Sequence, residues 1–222
     1  MNVSLVNALA NAMLRDYREV ETSADHALNR SDAACVIDCV LSLNRDYDRF
    51  VLPRVMRFVQ EHPGVTSVAE LQFMMRACAS PHEFVQLHLG YNHAKRAEIL
   101  MAVVDYLTTV GDLREWARSA DPGGYRQVRV DGFGVTGWQY LRVLFGANTV
   151  KPDIHIKRYV ERVTGRPIGA TVKLVRLFEE ASRRAGLRAL DASISTVRYG
   201  GKARGVFSPP LDIKHSVRRH PK

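Results

Sequence analysis

The amino-acid sequence predicts an all-α protein, and three observations support that fold class. First, apolar residues recur every three or four positions in successive segments of the chain. Second, residues that cap helices stand directly before several of these segments. Third, the alternating pattern of a half-buried strand is nearly missing. Hydrophobic residues make up 46% of the 222 positions and charged residues 25%, which is typical of a folded globular chain.

The helical signals begin at the N-terminus and predict three helices in the first part of the chain. Residues 3–20 carry apolar side chains at helical spacing. Ser31 is placed to cap a second helix that contains residues 35–43. Pro53 suits the first turn of a third helix, which the His-Pro-Gly sequence at 62–64 would end.

The middle of the chain contains capping-box patterns, in which a short polar residue precedes a glutamate by three positions. Such pairs mark the first turn of a helix. The pairs are Ser67 with Glu70, Ser80 with Glu83, and Asp112 with Glu115. Between the last two, residues 93–110 predict a long amphipathic helix that Gly111 would close.

The last third of the chain predicts a helical hairpin and then further helices. A short helix should precede a tight turn at Asp131–Gly134, and a second helix should follow it. The predicted helices cover about 135–145, a segment beginning at Pro152, 170–185 and 188–199. Residues 201–222 are rich in glycine, proline and basic residues, so we expect an irregular basic tail.

The charge of the chain favours a polyanionic partner. Lys and Arg number 32 against 23 Asp and Glu, which gives a net charge of +9. Because each neutralised phosphate releases counterions, nucleic acid is the first partner to consider. An anionic membrane surface is the rival, and a charge that serves only solubility is the neutral alternative.

The sequence also indicates the compartment. The three cysteines do not form a disulfide framework, and Cys35 and Cys39 suit buried positions on one helix better than a metal site. Neither a signal peptide nor an apolar stretch long enough for a membrane span is recognisable. We therefore expect a cytoplasmic protein, associated with the nucleoid if the source is bacterial.

The most informative stretch begins with two glycines around one apolar residue, Gly132-Phe133-Gly134. Glycines allow a sharp turn and a close approach of the backbone to another surface. Free N–H groups of the turn and of the following helix can bind a phosphate oxygen, while Phe133 would point inward. A glycine pair that serves turn geometry alone is the alternative.

About twenty residues later the chain reads PDIHIKR, beginning at Pro152. Together with VDGFG in the hairpin, this stretch resembles the helix-hairpin-helix-GPD superfamily of base-excision DNA glycosylases, the endonuclease III, MutY and AlkA type. The resemblance implies that Asp153 is the catalytic carboxylate, with His155 and Arg158 on the family's histidine and arginine. On residue type alone, Asp153 is also a helix cap, and the two roles can coexist.

Further segments extend the resemblance over most of residues 30–200. CVLSLNRDYDRF is similar to the family's early helix, which puts Asn44 where a side chain probes the DNA. LGYNHAKRAEIL is similar to a segment whose loop wedges into the duplex, which assigns Tyr91 and Asn92 to DNA contacts. A turn and a helix cap are the alternative for these two residues. LDASISTVRYG resembles the closing helix.

The remaining site assignments are of lower specificity. Thr136, Lys157 and Arg158 are assigned to DNA contacts beside the hairpin and on the helix of Asp153. Trp138 and His155 are candidates for the pocket of an extruded base, with core packing as the alternative for the tryptophan.

Departures from the family pattern limit the chemistry that the resemblance implies. Thr136 stands where bifunctional members carry a lysine, so a Schiff-base lyase is not expected. The four C-terminal cysteines of the iron–sulfur branch are missing, so that cluster should be absent as well. The resemblance implies a monovalent cation bound at the hairpin. No other metal ion is expected.

The resemblance further implies two helical lobes around a cleft. One lobe would span residues 25–134 and end in the hairpin, and the other would combine 1–24 with 135–200 and carry Asp153.

The function expected is that of a monofunctional DNA glycosylase, and the protein is expected to be a monomer. It would hydrolyse the N-glycosidic bond of a damaged or modified base turned out of double-stranded DNA. The main alternative is a non-catalytic DNA-binding protein on the same scaffold. A sequence-specific regulator with a helix-turn-helix is a third.

Overall fold

The computed structural model describes residues 2–17 and 31–193, and it confirms the all-α fold class in these ranges. The helices are α1 (Val3–Asp16), α2 (Asp32–Leu41), α3 (Leu52–Glu61), α4 (Val68–Arg76), α5 (Pro81–Leu89), α6 (Ala94–Leu107), α7 (Leu113–Ser119), α8 (Val135–Leu144), α9 (Ile154–Thr164) and α10 (Thr171–Arg184). A π-helical turn, Tyr47–Val51, leads directly into α3, and a 3₁₀ turn, Gly124–Val128, precedes the hairpin. A further helix begins at residue 189.

The predicted caps form where the sequence places them. The Ser31 hydroxyl accepts a hydrogen bond from the Ala34 N–H at 3.2 Å at the start of α2. Ser67 and Glu70 make the full reciprocal capping box on α4. The side chains of Ser80 and Asp112 likewise accept hydrogen bonds from the third residues of α5 and α7. Caps act within one turn, which is why residue types alone were sufficient to locate them.

One helix start and one helix end differ in detail from the prediction. Pro152 precedes the first turn of α9 rather than beginning it, because the Asp153 side chain caps the helix and Ile154 is its first residue. α2 ends at Leu41, and Asn44 then adopts a left-handed backbone with φ 56°. Pro53 does lie in the first turn of α3, as predicted.

The buried apolar residues form two separate cores. The larger core is built from α2 to α8 and the segments between them, from Ala33 to Ala147. The smaller core combines α1 with α9 and α10, so that residues from both ends of the described chain pack together. α1 lies along α10 and also contacts α9.

α8 belongs to the larger core, since Leu141 and Phe145 are fully buried there. The chain changes from one core to the other between Ala147 and Val150. This change comes after the lobe boundary that the sequence suggested at residue 134, because α8 is apolar on more than one side and packs against α2 and α7.

A chain of buried polar side chains connects α8 to the smaller core. Arg142 donates to the Gln139 side chain at 2.7 Å, and Gln139 donates to the Thr149 hydroxyl at 2.6 Å. Thr149 in turn donates to the Glu179 carboxylate of α10 at 2.5 Å. Burial raises the pKa of Glu179 above its ordinary value. Buried polar groups of this kind hold two packed units in one arrangement, since a lost partner is costly.

The residues expected to complete the closing helix beyond 193, and the basic tail at 201–222, lie outside the described ranges. Within those ranges, none of the helices has the length and apolar character needed to cross a bilayer.

Candidate functional site

The turn at residues 131–134, hereafter the hairpin, depends on one of its two glycines for its backbone shape. Gly132 has φ +90°, and a Cβ there would also lie 3.1 Å from the Ile99 side chain. Phe133 is 3% exposed, so its ring points into the larger core as predicted. Its side chain is therefore unavailable to a ligand, and the hairpin presents to solvent the backbone at its two glycines together with exposed Asp131.

Gly134 has a different role from Gly132. Its backbone is extended, with φ −109° and ψ −167°, so any residue could adopt it. A Cβ at this position would meet nothing within 4 Å. Gly134 is also the N-cap of α8, and no side chain caps the helix there. The N-terminus of α8 is thus open to solvent beside half-buried Thr136, with its first N–H groups available.

The backbone carbonyls of the hairpin are the groups that would bind the monovalent cation that the resemblance implies. The Gly134 carbonyl accepts the first helical hydrogen bond of α8, from the Trp138 N–H. The carbonyls of Gly132 and Phe133 accept no hydrogen bond from the described residues. Oxygens of this type suit a monovalent cation, so the hairpin backbone is compatible with one.

The two carboxylate oxygens of Asp153 differ in their hydrogen bonds. Its Oδ1 accepts hydrogen bonds from the N–H groups of His155 at 2.9 Å and Ile156 at 3.0 Å, which caps α9. Its Oδ2 accepts none from the part of the chain that the structure describes. The side chain is half-buried. The cap therefore fixes the carboxylate while one oxygen stays available for chemistry.

The segment before Asp153 packs against α8, the helix that follows the hairpin. The Lys151 ammonium lies 3.8 Å from the centre of the Tyr140 ring. One turn earlier on α8, the Gly137 carbonyl accepts a hydrogen bond from the Cys39 thiol at 3.3 Å. α2, α8 and the segment before α9 therefore meet at one place. In sequence, the hairpin comes directly before α8, and Asp153 comes directly after the segment that packs against it.

A buried carboxylate lies behind this junction. Asp38 of α2 is 0% exposed. It accepts hydrogen bonds from the hydroxyls of Tyr47 at 2.8 Å, Tyr140 at 2.8 Å and Ser42 at 3.1 Å. Three donors satisfy a carboxylate well enough to keep it in the interior. Asp38 thus links the π-helical turn, α2 and α8.

Burial shifts the titrations of the groups at this junction. It raises the pKa of the Cys39 thiol and that of the Tyr140 hydroxyl, so both stay protonated at neutral pH. Burial also lowers the pKa of Lys151, although the acidic groups of Cys39, Asp38 and Asp153 oppose the shift. The neutral amine is therefore more populated at Lys151 than at an exposed lysine.

The two loops that the resemblance assigns to DNA contacts lie side by side. Arg45, next to Asn44, donates to the Tyr91 hydroxyl at 3.0 Å. Tyr91 also packs edge-on against Phe50, with ring centres 4.8 Å apart. Arg96 donates to the Leu43 carbonyl, which ties the start of α6 to the end of α2. Asn44, exposed and left-handed, and Tyr91 thus occupy one surface.

Asn92 and the basic residues of α9 complete the predicted set. Asn92 is exposed, and its side-chain oxygen lies 2.8 Å from a ring nitrogen of His82. On α9, His155 and Lys157 are half-buried and Arg158 is exposed. Neither Lys157 nor Arg158 makes an ion pair with another described residue, so both charges are available to a polyanion.

Trp138 packs in the protein core, which was the alternative to its assignment to a base pocket. It is 1% exposed, and its indole N–H donates to the Asp121 carbonyl at 2.9 Å. Its ring packs against Trp116 and Tyr106, and a Cβ on Gly124 would come within 2.7 Å of it. A side chain enclosed in this way cannot stack on an extruded base, so the assignment to a base pocket is corrected to core packing.

Sequence reasoning missed two residues of the site. Asp38 had a visible signal, since it is a charged residue inside the apolar stretch CVIDCVL. Lys151 had none, because a lysine before a proline is ordinary in a loop. Its position against Tyr140 follows only from tertiary packing.

Comparison of the chain with protein-family models, with curated proteins and with solved structures yields no match. Among the residues described, no three or more His, Cys, Asp and Glu side chains are arranged to hold a metal ion. Function is therefore inferred from the chain's own residues.

Proposed function

We propose that this protein is a DNA glycosylase that hydrolyses the N-glycosidic bond of a damaged or modified base in double-stranded DNA. The observation that carries the proposal is the state of Asp153, a half-buried carboxylate fixed by two backbone N–H groups through one oxygen only. The resemblance of its surroundings to the helix-hairpin-helix-GPD superfamily supports the same role.

The hairpin supports a DNA-binding role for the same region. α8 begins without a side-chain cap, and nothing lies within 4 Å of the space above Gly134. A phosphate oxygen can approach such a helix start closely, where N–H groups and the helix dipole favour an anion. The net charge of +9 provides the long-range attraction.

The chemistry suits a carboxylate that keeps one oxygen unused. Departure of the base leaves positive charge on the deoxyribose, and a nearby carboxylate stabilises that charge. The same oxygen can orient or deprotonate the water that attacks C1′. The base leaves with its bonding electrons, and the water oxygen takes its place on the sugar. A monovalent cation on the hairpin carbonyls would add to the attraction for a phosphate.

The test is base excision from a panel of duplexes that carry alkylated, oxidised, deaminated and bulky modified bases, followed by alkali to cleave at abasic sites. We expect excision of one class of lesion and a loss of about 10²- to 10⁴-fold in rate for Asp153→Asn. Asparagine still caps a helix, so the substitution removes the charge and leaves the fold.

Asp112→Asn is the matched control, because Asp112 caps α7 in the same manner and its side chain accepts from the Glu115 N–H at 2.7 Å. Equal losses in the two variants would argue against a catalytic role for Asp153. If both proteins bind DNA but excise nothing from the panel, the non-catalytic DNA-binding alternative is favoured. A preference for one undamaged duplex sequence would indicate a regulator instead.

A further inference from the structure

α4 carries an exposed phenylalanine near its centre. Phe73 is 79% exposed, which makes it the most exposed of the large apolar side chains in the described ranges. It lines an open groove beside α4, and Glu70 is the one charged residue in the lining of that groove. The other lining residues are Gly64, Val65, Ala69, Met74 and Ala77. Single exposed apolar residues are common on protein surfaces, whereas a continuous apolar patch marks a contact with another molecule.

The exposed residues of α4 and its C-cap are arranged symmetrically about Phe73. Glu70 lies three positions before Phe73 and Arg76 lies three positions after it, and all three side chains are exposed. Ala69 and Ala77, four positions before and after, are exposed as well. Residues spaced by three or four positions share one side of a helix. These five residues, hereafter the α4 face, therefore place an acid at one end, a base at the other end and an aromatic ring between them.

Both charged side chains of the α4 face keep atoms that make no hydrogen bond within the described ranges. Glu70 accepts hydrogen bonds from Ser67 and Thr66 through Oε2, and its Oε1 accepts none there. Arg76 donates one N–H to Asp105 at 3.1 Å, and its other side-chain N–H groups donate to none of the described residues. The helix dipole accounts for an acid in the first turn and a base in the last. It does not account for a phenylalanine exposed between them.

A second copy of the α4 face is complementary to the first. When two identical helices pack antiparallel about a two-fold axis, each residue before the centre meets the residue equally far after the centre on the other helix. With Phe73 at the axis, Glu70 meets Arg76 of the second copy, and the same pair forms again at the other end. The two phenylalanine rings meet at the axis. Ala69 meets Ala77 of the second copy, where small side chains let the helices approach closely.

We propose that the protein forms a homodimer through the α4 face, with the two α4 helices antiparallel about a two-fold axis at Phe73. The inference does not depend on the proposed function, and it departs from the monomer expected from the sequence. α4 has nine residues and is therefore only about 14 Å long. A contact of this length is smaller than the roughly 800 Å² per partner of a standard interface, so we expect a weak dimer with a Kd on the order of 10⁻⁵ M.

The experiment is sedimentation equilibrium of the full chain at concentrations from about tenfold below to about tenfold above that Kd. The mean mass of the wild type should rise with concentration from that of one chain toward that of two. Phe73→Glu should raise the Kd at least about thirtyfold, because it puts two carboxylates at the centre of the contact. Leu14→Glu is the matched control, since Leu14 is 52% exposed on α1 and packs with the smaller core. It should associate like the wild type, and urea unfolding checks that both variants are folded.

Charge reversal tests the antiparallel arrangement. Glu70→Arg leaves two basic residues on the α4 face and Arg76→Glu leaves two acidic ones, so each variant should repel its own copy. An equimolar mixture should associate again, because opposite charges then meet at both ends of the contact. The Ser67 hydroxyl, which accepts a hydrogen bond from the residue 70 N–H, still caps α4 in Glu70→Arg. Association that only the mixture shows is a gain that a misfolded variant would not give.

A wild-type mass that stays at one chain over the whole concentration range would overturn the proposal. Association that persists in Phe73→Glu, or that Leu14→Glu removes to the same extent, would do so too, because the contact would then lie elsewhere. If the wild type associates and the mixture of charge variants does not, the antiparallel arrangement on which the proposal depends is wrong.

Discussion

The ring of Phe133 lies directly against Gly137, so that a Cβ added to Gly137 would be 2.8 Å from the ring. The same Cβ would be 2.9 Å from the side chain of Leu43 at the end of α2. Gly137 therefore lets α8 pack against both the hairpin and α2. The glycine is needed for close packing here, and not for an unusual backbone conformation.

Gly137→Val should destabilise the fold by about 2–3 kcal/mol, because the larger side chain overpacks a filled site between Phe133 and Leu43. Urea unfolding, followed by circular dichroism, measures the change. Gly134→Val is the control and should lie within about 0.5 kcal/mol of the wild type, since its backbone is extended and nothing is within 4 Å. Equal stability of both variants and the wild type would contradict the packing described for Gly137.

Gly134→Val should instead weaken binding to duplex DNA by about tenfold, or ~1.4 kcal/mol. The added side chain would stand over the open N-terminus of α8, where we propose that a phosphate binds. Fluorescence anisotropy at fixed salt measures the affinity. Gly111→Val is the matched control, because a Cβ on exposed Gly111 also meets nothing within 4 Å. Unchanged affinity of Gly134→Val would show that DNA does not approach the hairpin.

Arg158→Ala should reduce the salt dependence of DNA binding. Arg158 is exposed on α9, beside the helix start held by Asp153. If it contacts one phosphate, the slope of log affinity against log salt concentration should fall in magnitude by about 0.9. Arg183→Ala is the comparison, because Arg183 on α10 is paired with Glu180 at 2.7 Å. The same slope in the wild type and Arg158→Ala would exclude a phosphate contact at this residue.

Stability should depend on pH through Glu70. The N–H groups of Ser67 and Thr66 both donate to its carboxylate at 2.8 Å, and these bonds lower the pKa of Glu70 to about 2. Because the folded protein favours the ionised form, this contribution is complete above the ordinary value of 4.5 and is lost as the pH falls toward 2.

Glu70→Gln keeps the side-chain oxygen of the capping box and removes the charge. The difference in urea midpoint between the wild type and this variant should therefore shrink as the pH is lowered from about 6 to about 2. A difference that stays constant over this range would mean that the charge of Glu70 adds nothing to stability.

Much of the secondary structure could be predicted because its signals act over a few residues. Ser31, Ser67 and Asp112 each accept a hydrogen bond from a backbone N–H three positions later, so the pattern alone revealed the helix starts. The inward position of Phe133 was equally visible, as one apolar residue between two glycines. The π-helical turn at Tyr47–Val51 was missed, although Asp46 caps it in the same manner by accepting a hydrogen bond from the Arg49 N–H at 2.8 Å.

The candidate site was predictable in part. The helix start at Asp153 and the turn at Gly132 follow from local patterns, and their geometry agrees. The buried position of Trp138 could not be predicted, because a tryptophan at helical spacing gives the same sequence pattern whether it faces a pocket or the core. Its contacts with Trp116 and Gly124 come from other segments of the chain.

Local sequence is sufficient to establish that this chain is helical, where most helices begin and which turn joins α8 to the preceding segment, since hydrogen bonds within a turn depend on neighbouring residues. Packing between distant segments decides the rest. It distinguishes Gly134, which is free of contacts, from Gly137, which is enclosed. It also sets Lys151 against Tyr140 in front of Asp38, because these three residues meet only when α2, α8 and the start of α9 come together.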